Sequence, residues 1–428
     1  MTVADQSSAV GPQVRRDPLS SDPYVQLLLS YLEDRTLLDA GPAAVDLMQN
    51  TLLRPYLDFF LRHDQSGFYA RLFERKGLLR SGQVRPDVAL TDLVQLRVHS
   101  DDLRGDGQQR RLIQDLVDRR EDLRTFGSSG TSANPAGRVT IARSPFTLDL
   151  AHLTIGRHIE KMAGWPLAGA TVCIQAAPEM RETMALPALS ERAFADCGAR
   201  VLYGSRLNDD SEQTSLWRRL EPDEKSLSSF FAAPGPKIWF APPPALLGVI
   251  ADDALLRRVT GSTEPNPRVN LGEQGVLMTG GGLKGNLGYR SMQQFLADVG
   301  PRVRSLAQGR EIAAPVIDGL GLTESLCIFV NRAADPLDPD VEVKYPFPLT
   351  WVGLLESPRR LRLVTDPKPD EPYLLFYVNF ACIDYLEAVI PGDVVARKPD
   401  VTSDRTDGLV YIRRAEELEG FQIREGCG

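Results

Sequence analysis

The sequence is poor in the residues that build metal or disulfide frameworks. Five cysteines (Cys173, Cys197, Cys327, Cys382 and Cys427) are scattered over 428 residues, none of them in a C-x-x-C pair, and there are only four histidines. Neither a disulfide scaffold nor a zinc site follows from such spacing, which suits a reducing compartment. Basic residues are also in deficit: 49 Lys and Arg against 57 Asp and Glu give a net charge of −8. A general nucleic-acid binder needs a basic surplus to neutralise phosphates, so that class is set aside. Long apolar runs are missing too. The most apolar stretch, Lys237 to Ile250, is interrupted by Pro242, Pro243 and Pro244 and is too short to span a bilayer. The first residues, MTVADQSSAVGPQVRRDP, lack the apolar centre of a signal peptide. The expectation is a cytoplasmic protein with no nucleic-acid partner and no membrane span.

What is present is an ordinary globular composition, 43% hydrophobic and 25% charged, on a chain long enough for two or more packed layers. From Tyr24 to about Arg124 the pattern reads as helical, with Val45, Met48, Leu52, Leu53, Tyr56, Phe59 and Phe60 recurring at three- and four-residue spacings. The period then changes. Ala170–Ala176, Arg200–Tyr203, Lys237–Phe240, Gly275–Met278 and Ala314–Ile317 read as buried strands. Helical segments such as Ala185–Cys197, Ala245–Arg258 and Tyr289–Val299 lie between them. That alternation predicts a parallel-rich α/β sheet with helices on its faces. From about Val341 short strands joined by Pro, Gly and Asp turns take over. The expected organisation is a helical region over 1–124, an α/β core over 125–340, a β-rich subregion over 341–414 and a short tail over 415–428.

Four segments carry chemistry. Phe126-Gly-Ser-Ser-Gly-Thr-Ser-Ala-Asn-Pro-Ala-Gly-Arg138 is rich in small residues, so backbone N–H groups and the hydroxyls of Ser128, Ser129, Thr131 and Ser132 can converge on phosphate oxygens. It lacks the Gly-Lys-Ser/Thr of a Walker A loop, and the same composition also suits a surface linker. Leu320-Gly-Leu-Thr-Glu-Ser325 follows a strand, placing Thr323 and Glu324 just beyond its carboxyl end, where open α/β sheets bind ligands. A carboxylate there can hold Mg²⁺ against a triphosphate; the bland alternative is a helix N-terminal Thr/Glu pair. Met278-Thr-Gly-Gly-Gly-Leu-Lys284 lets backbone approach a flat ring closely, or simply ends a strand. In Pro391-Gly-Asp393 a turn presents a carboxylate able to accept hydrogen bonds from ribose hydroxyls, although Gly-Asp turns are common.

In order along the chain, Ser129-Gly-Thr-Ser-Ala-Asn-Pro-Ala-Gly137, Phe240-Ala-Pro-Pro243, Gly280–Gly282, Gly321-Leu-Thr-Glu324, Gly392-Asp393 and Asp407-Gly-Leu-Val-Tyr-Ile-Arg-Arg414 resemble the motifs of adenylate-forming enzymes, the superfamily of acyl-CoA synthetases and adenylation domains. The resemblance covers roughly residues 125 to 428. It implies an adenylate-forming-enzyme-like α/β fold and ATP-dependent activation of a carboxylic acid with release of pyrophosphate. It also implies roles: Ser128, Ser129, Gly130, Thr131 and Ser132 on the β- and γ-phosphates, and Gly280, Gly281, Gly282 and Leu320 beside adenine and the acyl group. Thr323 would meet the α-phosphate, Glu324 would hold Mg²⁺, Asp393 would bind the ribose, and Arg414 would lie close by.

Two positions depart from the family's pattern. Ala136 stands where it usually has Lys, and Leu320 where it has an aromatic residue on the adenine. The usual members also continue after the Arg into a mobile domain bearing a catalytic Lys, which this ending leaves absent or vestigial. The ending, Gly420-Phe-Gln-Ile-Arg-Glu-Gly-Cys-Gly428, instead resembles the acyl-protein synthetases of the bioluminescence fatty-acid reductase system. That resemblance implies acyl transfer to Cys427 and on to a partner protein. A bystander thiol is the alternative for Cys427. For Cys327, in the apolar run Leu326–Val330, a buried core role is expected. His152 and His158 are expected as ordinary surface or core histidines, with the acyl pocket as the competing assignment. Two other functions stay open: an adenylating ligase using a small amine or thiol directly, and a non-catalytic nucleotide-binding relative.

Overall fold

In the computed structural model the described residues are 17–34, 41–103, 108, 110–119, 122–127, 140–208, 219–283, 288–289, 291–322, 326–399 and 407–415. The helical opening is real but shorter than its pattern predicts. Helices cover Pro23–Glu33, Pro42–His63 and Phe68–Arg75, each of the first two opened by a proline in its first turn, where no N–H is lost. The second buries Met48, Leu52, Tyr56, Phe59 and Phe60 along one face. Beyond Arg75 the expected helix gives way to two-residue strands and 3-10 turns. Positive-φ turns at Gly77, Ser81 and Gly82 break the helical path there.

The centre is a six-stranded sheet in the order Cys327–Val330, Val316–Leu322, Val276–Gly280, Lys237–Phe240, Thr171–Ile174, Arg200–Tyr203. Five of its strands are parallel, and only Cys327–Val330 turns back antiparallel at the edge. All five runs read as buried strands are therefore strands of one sheet. The strand beginning at Val316 continues through Gly319 and Gly321 to Leu322, further than its apolar run ends. The predicted helix Ala245–Arg258 is two helices, Pro243–Ile250 and Asp253–Thr260, because Asp252 accepts a hydrogen bond from Leu255 N and caps the second. Helices Pro145–Ala163 and Ala185–Asp196 pack against the sheet through Ile155, Ile159, Ala193 and Phe194.

The chain after Val341 forms the antiparallel sheet that its turns predict. Its main path runs Val343–Lys344, Gly408–Arg414, Asp393–Lys398, Pro372–Asn379, Thr350–Ser357, Arg360–Leu363. One face covers the opening helices through Leu349, Leu355, Leu374, Phe376 and Val378. Opposite-facing Leu354, Leu375, Tyr377 and Val395 pack with Ile141, Phe329 and Leu320. A bridge between Val330 and Tyr345 joins the edges of the two sheets. Among the described residues no helix is long and apolar enough to cross a membrane.

Candidate functional site

Many of the sequence-derived site residues lie outside the described residues: Ser128, Ser129, Gly130, Thr131, Ser132, Thr323, Glu324 and Cys427, with the substituted Ala136. Their flanks are defined. Strands Arg124–Gly127 and Thr140–Arg143 pair antiparallel, with Gly127 opposite Thr140, and form the stalk on either side of residues 128–139. Leu322 and Cys327, which flank residues 323–325, pair with one another on antiparallel strands. Because Val316–Leu322 is parallel to Val276–Gly280, Leu322 stands at the carboxyl end of the sheet, the side on which open α/β sheets bind ligands.

Beside it, Gly280 and Gly319 sit in register on neighbouring strands. A Cβ at Gly280 would come within 3.3 Å of the Gly319 carbonyl oxygen, a tight contact that glycine avoids. Gly281 and Gly282 turn the chain away with φ of 83° and 67°, a conformation glycine adopts cheaply. The strand ends rest on a buried polar group. Asp318 accepts a hydrogen bond from the Thr279 hydroxyl at 2.7 Å and faces Lys344 Nζ at 2.6 Å. Leu320 pairs with Phe329 and packs on the apolar cluster that includes Tyr377 and Val395.

Asp393 and Arg414 meet directly, opposite one another on adjacent antiparallel strands. Gly392, at φ 87°, makes the turn that delivers Asp393. Arg414 Nη1 donates to Asp393 Oδ1 at 2.6 Å and to the Pro391 carbonyl at 3.0 Å. The Asp393 side chain is only 2% exposed, and its Oδ2 is buried with no hydrogen-bond partner among the described residues. Burial pushes its carboxyl above the usual range, and the Arg414 guanidinium opposes that rise. An ionisable oxygen left without a donor in the interior is costly unless a ligand hydroxyl or amide supplies one.

A second polar assembly was missed by motif reading. Arg143, at the end of the loop stalk, is fully buried and lies 3.6 Å from Glu387. It donates to the Tyr385 hydroxyl at 2.9 Å and to Cys382 Sγ at 3.2 Å, with its guanidinium 4.7 Å from the Tyr385 ring centre. Next to it, Asp384 accepts from Ser144 N and Oγ and from Thr147 Oγ1, and so holds Ser144, the cap of helix Pro145–Ala163. The available signal was two acids, Asp384 and Glu387, inside the otherwise apolar run Phe380–Ile390.

The histidines fall apart in role. His158 is buried, its Nε2 donating to the Tyr345 carbonyl at 2.9 Å, and burial holds its pKa down at about 4. In the unfolded chain the ring takes a proton near 6.5, so this group makes stability rise with pH between about 4 and 6.5. His158→Gln is expected to flatten that part of a thermal-stability profile, which a pH series of melting curves checks. His152 lines a cavity of about 300 Å³ with Arg124, Leu148, Asp149 and Arg192. Cys327 is buried, 3.3 Å from the Thr350 hydroxyl, with its thiol pushed up to about 12 by burial, as a core cysteine should be. A cavity of about 470 Å³ lies elsewhere, between Val45, Gln49, Met162, Phe347, Trp351 and Leu409, and of the motif residues Asp407 and Leu409 line it. Among the described residues no group of three or more His, Cys, Asp or Glu could hold a metal ion.

Comparison with known proteins places this geometry. The chain superposes on 2-hydroxyisobutyryl-CoA ligase in complex with 2-HIB-AMP and CoA in the thioesterification state, with a TM-score of 0.58 and 13% identity, over 89% of this chain and 70% of that one. An open conformation of that ligase with the same two ligands gives 0.56 and 13%, over 88% and 72%. Its postadenylation complex with 2-HIB-AMP gives 0.57 and 12%, over 88% and 70%. By sequence, no family model and no curated protein matches. The fold is the α/β fold of adenylate-forming enzymes, as the motif order implies.

Proposed function

We propose that the protein is an AMP-forming ligase that activates a carboxylic acid with ATP as its acyl-adenylate and then passes the acyl group to a thiol. The observation that carries this reading is the buried Asp393, whose Oδ2 lacks a partner beside Arg414, on a fold shared with a CoA ligase. Asp393 fits a donor such as a ribose hydroxyl, and Arg414 holds the carboxylate in place through its other oxygen. Gly280–Gly282 and Leu320 border the adenine and acyl groups, with Leu320 contributing burial without ring stacking. Ser128–Ser132 and Thr323 bind the phosphates. Mg²⁺ suits a single carboxylate shared with substrate phosphates, so Glu324 would hold it, where it supplies charge neutralisation.

The chemistry follows from that placement. A substrate carboxylate oxygen, already ionised and needing no general base, attacks the α-phosphorus while the bond to pyrophosphate breaks. The phosphate-binding hydroxyls and N–H groups stabilise the departing charge. A thiolate then attacks the acyl carbon and AMP leaves. The neighbouring ligase is seen with both an adenylate and CoA, which supports a thiol acceptor. The ending around Cys427 supports an internal thiol that delivers to an acceptor protein. An adenylating ligase acting directly on a small amine or thiol is the second reading, and the loss of the usual loop Lys at Ala136 supports a third, a nucleotide-binding relative without catalysis.

Pyrophosphate release with ATP, Mg²⁺ and a panel of aliphatic, aromatic and amino acids tests the proposal. Acid-dependent release is expected. With an active acid in hand, Cys427→Ser separates the acceptors: it abolishes acyl transfer and leaves adenylation intact if Cys427 is acylated. Unchanged transfer assigns the acceptor to a free nucleophile. ATP binding without release for any acid favours the non-catalytic reading.

A further inference from the structure

The loop stalk and the strand that carries Asp393 come from chain segments about 240 residues apart, and one buried assembly joins them. On the stalk side are Arg143, the last residue of strand Thr140–Arg143, and Ser144, the cap of the following helix. On the other side is the segment from Asn379 to Glu387, which leads through strand Ala388–Ile390 into Gly392 and Asp393. Contacts cross between them at several points. Arg143 meets Glu387, Tyr385 and Cys382, and Asp384 receives three hydrogen bonds from Ser144 and Thr147. The far side of the segment is held as well: Glu387 N donates to the Tyr56 hydroxyl at 3.2 Å, and Leu386 N to the Tyr69 hydroxyl at 2.9 Å. Neither Arg143 nor Glu387 has any solvent exposure.

Buried ion pairs add little to stability over apolar packing of equal shape, and their best-attested use is to fix one relative placement of the parts they join. Here the parts are the two sides of the nucleotide site in the reading above, on which this inference rests. We propose that Arg143 and Glu387 form a buried clamp that sets the position of the phosphate-loop stalk relative to Asp393, making both of them positioning residues for nucleotide binding.

The clamp has an ionisation signature. Burial pushes the Glu387 carboxyl up to about 8, with the Arg143 guanidinium pulling the other way. The groups that face it are Arg143 on the stalk, Cys327 on the edge strand, Tyr56 on helix Pro42–His63, and Asn379, Cys382, Asp384 and Tyr385 on its own segment. Of the thiols among these, burial raises Cys327 to about 12 and Cys382 well above the ordinary thiol value, so Glu387 is the group that ionises near 8. Below that pH the carboxyl is neutral and the ion pair is incomplete; above it the pair closes.

The test is the affinity of the full-length protein for a fluorescent ATP analogue from pH 7 to 9.5, with a melting curve at each point. The wild-type protein is expected to bind several-fold more tightly as pH rises through about 8. Glu387→Gln keeps the shape and is expected to hold the weaker, low-pH affinity throughout. Arg143→Lys, a second variant should the first fail to fold, is expected to move the midpoint upward. A wild-type affinity that is flat across this range, or a pH dependence that Glu387→Gln retains, overturns the clamp while leaving the adenylation reading standing. No binding of the analogue by the wild-type protein at any pH overturns both.

Discussion

Asp393→Asn is expected to weaken ATP binding by roughly 30- to 100-fold, equivalent to about 2–3 kcal/mol, the scale of losing hydrogen bonds to a charged group. The substitution changes no shape. It removes the anionic acceptor from a buried position where Oδ1 already serves Arg414 and Oδ2 awaits a donor. In the variant the amide brings its own N–H groups toward the ligand hydroxyls or toward Arg414, and neither orientation serves both. Calorimetric titration with ATP measures the loss, and a melting curve confirms that the fold persists. An affinity within twofold of wild type would remove Asp393 from the nucleotide site, and with it the observation on which the functional reading stands.

At pH 9, where Glu387 is ionised, Arg143→Ala is expected to cost about 3–5 kcal/mol of unfolding free energy, the scale seen when one member of a buried ion pair is removed. Three effects act together. Glu387 and Asp384 lose the positive charge that favours their ionised forms. Tyr385 loses both a donor and the cation over its ring. The side chain also leaves a void at a position with no solvent exposure. Guanidinium denaturation monitored by tryptophan fluorescence gives the number. A loss below 1 kcal/mol would mean that water reaches the cluster and that it is not the buried assembly described.

How much of this was legible in the sequence depends on what each segment buries. Parallel strands covered by helices on both faces must be apolar throughout, so Thr171–Ile174, Lys237–Phe240 and Val276–Gly280 stand out as unbroken runs. Val316–Leu322 was traced only as far as Ile317. Its second half is carried by Gly319 and Gly321, which read as turn residues; at Gly319 a side chain would crowd Ile328 and Val330 of the neighbouring strand. The helical reading of residues beyond Arg75 failed for the opposite reason. Leu90, Leu93, Val94 and Leu96 have helix-like spacing, but they bury themselves from 3-10 turns, which share much of that period.

The site divides in the same way. Asp393 and Arg414 were found separately by motif order, and the structure adds that they touch. The glycines at 280–282 were legible because a close approach at Gly280 and positive φ at Gly281 and Gly282 favour glycine. The Arg143 assembly was not, because its chemistry lies in pairing between residues far apart in the chain. Sequence alone shows Asp384 and Glu387 only as two charges out of place in an apolar stretch. Which cation they meet is decided by the stalk packing against strands that follow it by more than two hundred residues.

The central claim is that a carboxylate oxygen bonds to the α-phosphorus of ATP, and an isotope label reports that bond directly. An acid that supports pyrophosphate release, labelled with ¹⁸O in its carboxylate, is incubated with ATP, Mg²⁺, the enzyme and a thiol, and the nucleotide product is weighed by mass spectrometry. The account predicts AMP carrying one ¹⁸O in its phosphate, because the bridging oxygen stays with phosphorus when the thiol takes the acyl group. Unlabelled AMP, or ADP with the label in inorganic phosphate, would contradict it.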